Sequence, residues 1–172
     1  MTSSLRLPPG WEPQGAVGDF AFAPGVVTVP QGVRAQADRA PDAMALVCGD
    51  ARVTYAELVE SAARCAAGLT AHGVVPGDRV AVWADRSTEL VALLLGVMQA
   101  GAVYVPLDPS APAARVRAVI EDSTPALVVA EPRLAAEASL PARVVAPEAL
   151  TSAEPTDEDA SSADAPAYII YT

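Results

Sequence analysis

Residues 80–105 read VAVWADRSTELVALLLGVMQAGAVYV, and the alternation within this stretch decides the fold. The run 80–84 is apolar throughout, which is typical of a strand covered on both faces. Apolar residues at helical spacing follow, and we expect them to pack inward in a helix that ends at Gly101: Leu90, Leu93, Leu94 and Val97. A second strand is predicted at 103–105, and Pro106 ends it because proline cannot donate to a sheet ladder.

The same alternation continues toward the C-terminus. Val116, Val119 and Ile120 mark another helix, and a buried strand follows at 127–129. Strand, helix, strand, helix and strand within about 55 residues predict parallel strands joined by right-handed crossovers. The predicted fold class is therefore α/β, with a partial doubly wound parallel sheet on a β-α-β-α-β core. A short helix near 134–138 and a strand at 143–145 would extend the alternation.

A hairpin and a capped helix are predicted before this core. The stretches 44–48 and 52–55 flank Gly49-Asp50-Ala51 and indicate a short β-hairpin. Thr54 and Glu57 have the spacing of a capping box, in which each side chain binds the other residue's main-chain amide. The sequence thus predicts a helix that begins after Thr54 and ends near Gly73.

The chain divides into four predicted segments. Residues 1–30 form an extended lead segment, and residues 31–146 form the α/β unit. Residues 147–165 are acidic and polar, which indicates a solvated linker. Residues 166–172 are almost entirely apolar and predict a final strand.

Composition excludes several classes of function. The 172 residues carry a formal net charge of -10, and all eleven basic residues are arginine. A nucleic-acid partner is disfavoured, because phosphate binding depends on clustered positive charge. The N-terminus lacks a signal peptide, and no apolar run reaches the roughly 20 residues of a membrane span. We therefore expect no membrane partner and a cytoplasmic location.

Few residues offer chemistry of their own. His72 is the only histidine, so the chain contains neither a hydrolytic triad nor a histidine-containing metal cluster. Asp78, Asp85 and Asp108 fall at turns or helix starts, where capping is the ordinary role. Asp108 also follows a buried parallel strand, at the edge where open sheets bind ligands. We predict no catalytic residue and no metal ligand in this chain.

Three stretches in order carry a resemblance: 53–58 (VTYAEL), 98–109 (MQAGAVYVPLDP) and 167–172 (AYIIYT). They resemble the first three conserved motifs of nonribosomal peptide synthetase adenylation domains, within the adenylate-forming superfamily of AMP-dependent ligases. The resemblance covers about residues 31–172 and implies part of the large N-terminal subdomain of these enzymes. In that family the last strand opens into a Ser/Thr/Gly-rich loop that ends in lysine and holds the ATP phosphates. Thr172 matches the start of this loop and is the one residue of this chain that the resemblance implies contacts ATP in the complete domain.

The resemblance also implies an activity for the complete domain. Such domains join an amino acid to AMP from Mg-ATP, release pyrophosphate, and pass the acyl group to the phosphopantetheine thiol of a carrier protein. This chain contains no lysine, and we expect it to be inactive alone and to bind no cofactor. The residues that line the family's substrate pocket lie beyond Thr172.

Other interpretations remain open. Ala111 and Ala114 stand where the family commonly has an aromatic and an acidic residue, so a fragment of an acyl-CoA synthetase or aryl-acid ligase is an alternative. A truncated, non-catalytic interaction module is a second alternative, because the final strand would present a sheet edge for pairing. A flavodoxin-like binding domain is the third.

Overall fold

The computed structural model describes residues 28–134 and 140–171. The first half contains one helix, a two-stranded hairpin and a long helix: α1 Val29–Arg39, β1 Met44–Cys48, β2 Ala51–Thr54 and α2 Tyr55–Ala71. The second half contains the main sheet and its helices: β3 Arg79–Trp83, α3 Thr88–Gln99, β4 Val103–Pro106, α4 Ala113–Ser123, β5 Leu127–Ala130, β6 Val144–Val145 and α5 Pro147–Thr151.

The main sheet has the strand order β4-β3-β5-β6, and every pair within it is parallel. Helix α3 leads from β3 to β4, and α4 then leads to β5 on the opposite side of β3. The predicted fold class is confirmed, and the predicted strands match the observed ones to within about one residue.

The two faces of the sheet carry separate cores, because side chains alternate along each strand. Val80, Val82, Leu127 and Val129 face the helices α2 and α3 and are at most 2% exposed. Ala81, Trp83, Val128 and Ala130 face α4 on the other side. Helices on both faces explain why β3 and β5 are apolar at successive positions rather than at alternate ones.

The hairpin and the capping box are also confirmed. Strands β1 and β2 pair antiparallel, and Tyr55 begins the helix rather than ending the second strand. The Thr54 amide donates to Glu57 Oε2 at 2.8 Å, and the Glu57 amide donates to Thr54 Oγ1 at 3.3 Å. Both bonds satisfy helix-end amides that have no partner within the helix.

Helix α3 buries a different set of residues from the predicted one. Leu93 and Val97 are buried as expected, but Leu90 and Leu94 are only half-buried. Leu95 is buried instead, in a cluster with Leu58 of α2 and the hairpin. The helix contacts the sheet on one side and α2 with the hairpin on another, so its buried stripe is wider than a single-sided pattern predicts.

The linker prediction was wrong for residues 147–151, which form helix α5. Leu150 is fully buried between α2 and the sheet. Residues 152–165, called the acidic strap below, then run across the helices, and Arg64 Nη1 of α2 donates to the Ala153 carbonyl at 3.1 Å. Local composition predicted solvation, whereas one buried leucine and several main-chain hydrogen bonds hold the segment in place. The four segment boundaries given above stay predictions.

The final predicted strand forms one parallel bridge, between Tyr168 and Tyr104 of β4. Tyr104 N donates to the Ala167 carbonyl at 3.0 Å, and Ile169 N donates to the Tyr104 carbonyl at 2.9 Å. Ile169 and Tyr171 pack toward the α4 core, while Tyr168 and Ile170 are 58% and 61% exposed. The chain therefore reaches the free edge of β4, as far as the described residues extend.

Some sequence expectations fall on residues that the structure does not describe. Thr172 lies outside the described residues, and so do positions 1–27 of the predicted lead segment. Residues 135–139 of the predicted helix near 134–138 also lie outside them, although 132–134 are helical.

Candidate functional site at the carboxyl edge of the sheet

A cleft of about 780 Å³ opens at the carboxyl ends of β3 and β4. The chain leaves β3 toward α3 on one face and leaves β4 toward α4 on the other face. Strands whose connections diverge in this way create the crevice in which open α/β sheets bind ligands. The lining comes from the segments after the two strands, the start of α4, and the end of the final strand: 84–86, 106–111, 115–116 and 170–171.

The loop after β4 forms one wall of the cleft and is tied to β3. Trp83 is 2% exposed, and its Nε1 donates to the Asp108 carbonyl at 3.1 Å. Leu107 N donates to the Val82 carbonyl at 2.9 Å. The buried indole of Trp83 thus holds the loop in place by a hydrogen bond. The position of this wall of the cleft is therefore set by the packing of β3 in the sheet.

Asp108 lies in this wall and stabilises its turn. Its Oδ1 accepts from the Ser110 hydroxyl at 2.7 Å and from the Ser110 amide at 2.8 Å. These two bonds, with smaller contributions from the charges of Arg115 and Arg86, lower the pKa of Asp108 below its ordinary value. The turn role expected for Asp108 is confirmed, and the residue also lies at the predicted ligand-binding edge.

Charged groups of both signs surround the cleft. Asp85 pairs with Arg133, whose Nε lies 3.1 Å from Glu131 Oε2, and the Asp85 amide donates to Glu131 Oε1 at 2.9 Å. Arg86 and Arg115 add two guanidinium groups to the lining. Guanidinium groups match the geometry of carboxylates and phosphates, whereas Asp85 and Asp108 in the same lining carry negative charge.

Tyr171 is a cleft residue that sequence reasoning did not single out. Its hydroxyl donates to Asp122 Oδ2 at the C-terminal end of α4, at 2.6 Å. This hydrogen bond raises the pKa of Tyr171 above its ordinary value. The pair fixes the end of the described chain against α4. In the sequence, the only signal for this contact is that Ile169 and Tyr171, two residues apart, lie on the same face of the predicted strand.

The remaining sequence candidates lie away from the cleft. His72 caps the C-terminus of α2, where Arg143 Nη2 lies 2.8 Å from its Nδ1. Asp78 binds the Val75 amide within a turn. In residues 28–134 and 140–171, no three His, Cys, Asp or Glu side chains are grouped closely enough to hold a metal ion. The same ranges contain no helix with the length and apolar character of a membrane span.

Comparison with known proteins places the chain in a family. Residues 33–172 match the family model described as "AMP-binding enzyme". The chain belongs to the AMP-binding enzyme family. The resemblance inferred from the three motifs is thereby confirmed at the level of the family.

Three individual relatives illustrate the similarity of this chain to other members of the family. Tyrocidine synthase 3 from Brevibacillus parabrevis is 38% identical over 145 residues, which is 80% of this chain and 2% of that protein. The AMPPNP-bound structure of the nonribosomal peptide synthetase FmoA3 is 35% identical, with a TM-score of 0.76 over 90% of this chain and 17% of that one. The N-terminal subdomain of NpsA from Klebsiella oxytoca, solved with 3-hydroxybenzoyl-AMSN, is 27% identical with a TM-score of 0.76, and the match covers 86% of this chain and 38% of that one.

The chain spans a small share of these proteins. It covers 1% to 6% of the length of eight curated relatives. The fold and the family are therefore established for this region, and the activity of a whole synthetase is a separate question.

Proposed function

We propose that the chain is the N-terminal part of an adenylation domain that activates an amino acid. In the complete domain a carboxylate oxygen of the amino acid attacks the α-phosphorus of ATP, the bond to the bridging oxygen breaks, and pyrophosphate leaves. The aminoacyl-AMP then loses AMP when the phosphopantetheine thiol of a carrier protein attacks its carbonyl carbon. The proposed products are thus pyrophosphate, AMP and a thioester on the carrier.

One observation carries this proposal. The final strand pairs parallel with β4 and runs along the sheet edge until Ile170 and Tyr171 line the cleft. The last described residues therefore lie at the carboxyl edge of the sheet, and we propose that the phosphate loop of the complete domain begins beyond them. The charged lining residues are Asp85, Arg86, Asp108 and Arg115, and the two guanidinium groups among them have the geometry that binds phosphate oxygens.

The relatives support an amino acid as substrate more than another acid. FmoA3 was solved with α-methyl-L-serine-AMP as well as with AMPPNP, and this chain is 35% identical to it. NpsA was solved with an aryl ligand, and this chain is 27% identical to it. An aryl-acid or acyl-CoA ligase is the second candidate, and the proposed experiment separates the two.

Magnesium would enter this reaction with the nucleotide. Magnesium retains several water molecules and commonly binds through substrate phosphates with one or two carboxylates. Among the described residues, Asp85 and Asp108 are the carboxylates that line the cleft. We expect the 172-residue chain alone to be inactive, because it contains no lysine to complete a phosphate loop.

The test is amino-acid-dependent exchange of labelled pyrophosphate into ATP. The coding DNA is read beyond codon 172, and the chain that it encodes is assayed with the twenty amino acids and a panel of aryl and fatty acids. The 172-residue chain assayed alone is the control. Exchange with one or a few amino acids supports the proposal, and exchange only with aryl or fatty acids replaces it with the second candidate.

Two other results would contradict parts of the proposal. Exchange by the 172-residue chain alone would show that the downstream loop is not required. An immediate stop codon would remove catalysis and favour a non-catalytic interaction module. Cytoplasmic location and the absence of nucleic-acid partners remain part of this proposal.

A further inference from the structure

The register of the final strand is weakly specified by its own sequence. Residues 168–171 read YIIY, so both faces of the strand are apolar. A slip by one residue would exchange the inward pair, Ile169 and Tyr171, for the outward pair, Tyr168 and Ile170. Register is strongly specified where one face of a strand is buried, because a slip of one residue moves the buried side chains to the other face. In residues 28–134 and 140–171, one bridge to Tyr104 and the hydrogen bond from Tyr171 to Asp122 hold this strand, and a contact earlier in the chain adds to them.

Gln99, at the C-terminus of α3, makes such a contact with the acidic strap. Gln99 is only 3% exposed. Its Nε2 donates to the Glu158 carbonyl at 2.9 Å and to the Thr156 carbonyl at 3.2 Å. Because both partners are carbonyl oxygens, only the NH₂ group can face them. The Gln99 carbonyl also accepts from the Ala160 amide at 2.8 Å. One residue therefore fastens the strap by three hydrogen bonds.

Gly101, two residues after Gln99, makes a close contact that restricts movement of the strap along the helix end. Gly101 has a φ of +70°, and a Cβ built on it would lie 2.8 Å from the Ala160 carbonyl oxygen. The strap main chain thus lies directly on the main chain that joins α3 to β4. Residues 161–166 are all that separate this fixed point from Ala167, which accepts from Tyr104 N at 3.0 Å. The contact of Ala160 with Gln99 and the pairing of Ala167 with Tyr104 are consequently joined by six residues.

We propose that Gln99 is a positioning residue that sets the register of the final strand against β4, and with it the place where Ile170 and Tyr171 enter the cleft. A slip of one residue moves a strand by about 3.3 Å along its axis. That movement would break the 2.6 Å hydrogen bond between Tyr171 and Asp122. Catalytic geometry is sensitive to displacements of about 1 Å, so the same slip would misplace a loop that follows the strand. This last consequence rests on the proposed function, whereas the register itself does not.

The test uses the isotope-labelled 172-residue chain and the variant Gln99→Met. Methionine keeps the length of the side chain and removes both N–H donors. Gln36→Met on α1 is the matched control, since the Gln36 side chain accepts from Arg39 Nη2 at an exposed position. Amide hydrogen exchange and the cross-peak between the Ile169 amide proton and Tyr104 are measured by NMR.

In Gln99→Met we expect the Ile169 amide to exchange about tenfold faster, as follows from losing two net hydrogen bonds. We also expect the nuclear Overhauser cross-peak between the Ile169 amide proton and Tyr104 to weaken, or to be replaced by one to a neighbouring residue of β4. Amides within β3 and β5 should keep their exchange rates. A role limited to global stability would instead speed exchange at all these amides together.

Unchanged protection of Ile169 in Gln99→Met, with faster exchange at Ala160, would overturn the proposal. If Gln99→Met does not fold, the wild-type chain still tests it. The amides of Ala160 and Ile169 must then share one opening free energy and one dependence on urea, and independent opening would refute the coupling. None of these readouts requires ATP, so failure of the exchange assay and failure of this inference are distinguishable.

Discussion

Replacement of Leu150 by alanine tests whether the acidic region is a structural part of the fold. Leu150 has no exposed surface and packs with the core on the α2 and α3 side of the sheet. The change removes three buried carbon atoms. Burial of each stabilises the fold by about 0.8 kcal/mol, so roughly 2.4 kcal/mol of hydrophobic stabilisation is lost. A residual cavity adds to this loss in proportion to its volume.

The cavity at this site has little room to collapse. A Cβ built on Gly68 of α2 would lie 2.4 Å from the Leu150 carbonyl oxygen, so the α5 main chain already rests on α2. We therefore expect Leu150→Ala to lower the free energy of unfolding by about 3–4 kcal/mol, within the measured range for buried leucines. For a domain of this size the melting temperature should fall by about 6–16 °C.

Urea denaturation followed by circular dichroism measures this loss. Val75→Ala is the matched control, because Val75 is an apolar residue that is 56% exposed. We expect the control to stay within about 0.5 kcal/mol of wild type. A Leu150→Ala midpoint equal to that of the control would show that α5 is not packed as described, and that residues 147–151 are the solvated linker that the sequence predicted.

Three further outcomes follow from other contacts. Trp83→Phe removes the donor to the Asp108 carbonyl and should lower the free energy of unfolding by about 1–3 kcal/mol; an unchanged urea midpoint would contradict that bond. The amide and hydroxyl of the helix N-cap lower the pKa of Glu57, so its carboxylate stabilises the fold above its unfolded pKa, and that stabilisation disappears as pH falls through the lower folded pKa. The stability difference between wild type and Glu57→Ala should therefore shrink between about pH 5 and pH 3, and a constant difference would argue against the capping box. Burial raises the pKa of Cys65 to about 11, whereas Cys48 is exposed, so a thiol reagent at pH 8 should modify one equivalent quickly and the second only on unfolding.

The sequence predicted the parts of the fold that local patterns determine. Two-sided burial makes β3 and β5 continuous apolar runs, and the Thr54 to Glu57 spacing marks the start of α2 because both hydrogen bonds form within one turn. The wider buried stripe of α3, which includes Leu95, depends on two packing partners at once. No pattern within a single helix could have distinguished Leu95 from Leu94.

The prediction of a solvated linker failed for residues 147–151 because tertiary contacts, rather than local sequence, hold this region in place. A five-residue helix with one buried leucine carries almost no periodic signal, and the strap is held by Gln99 and Arg64, which lie more than fifty residues earlier in the chain. The site shows the same limit. Asp108 could be placed at the ligand-binding edge because it follows a strand, whereas the pairing of Tyr171 with Asp122 joins residues 49 positions apart and has no local signature.

The contact between the hydroxyls of Thr28 and Ser161 joins residues 133 positions apart, at 2.8 Å. Contacts across such long separations form slowly, because the entropy of closing the loop must be lost before the contact stabilises the chain. The crossover helices and β3 to β5 join residues much closer in sequence and should assemble first. We therefore expect the strap and the final strand to order last during folding, so that Ile170 and Tyr171 line the cleft only after the sheet is complete.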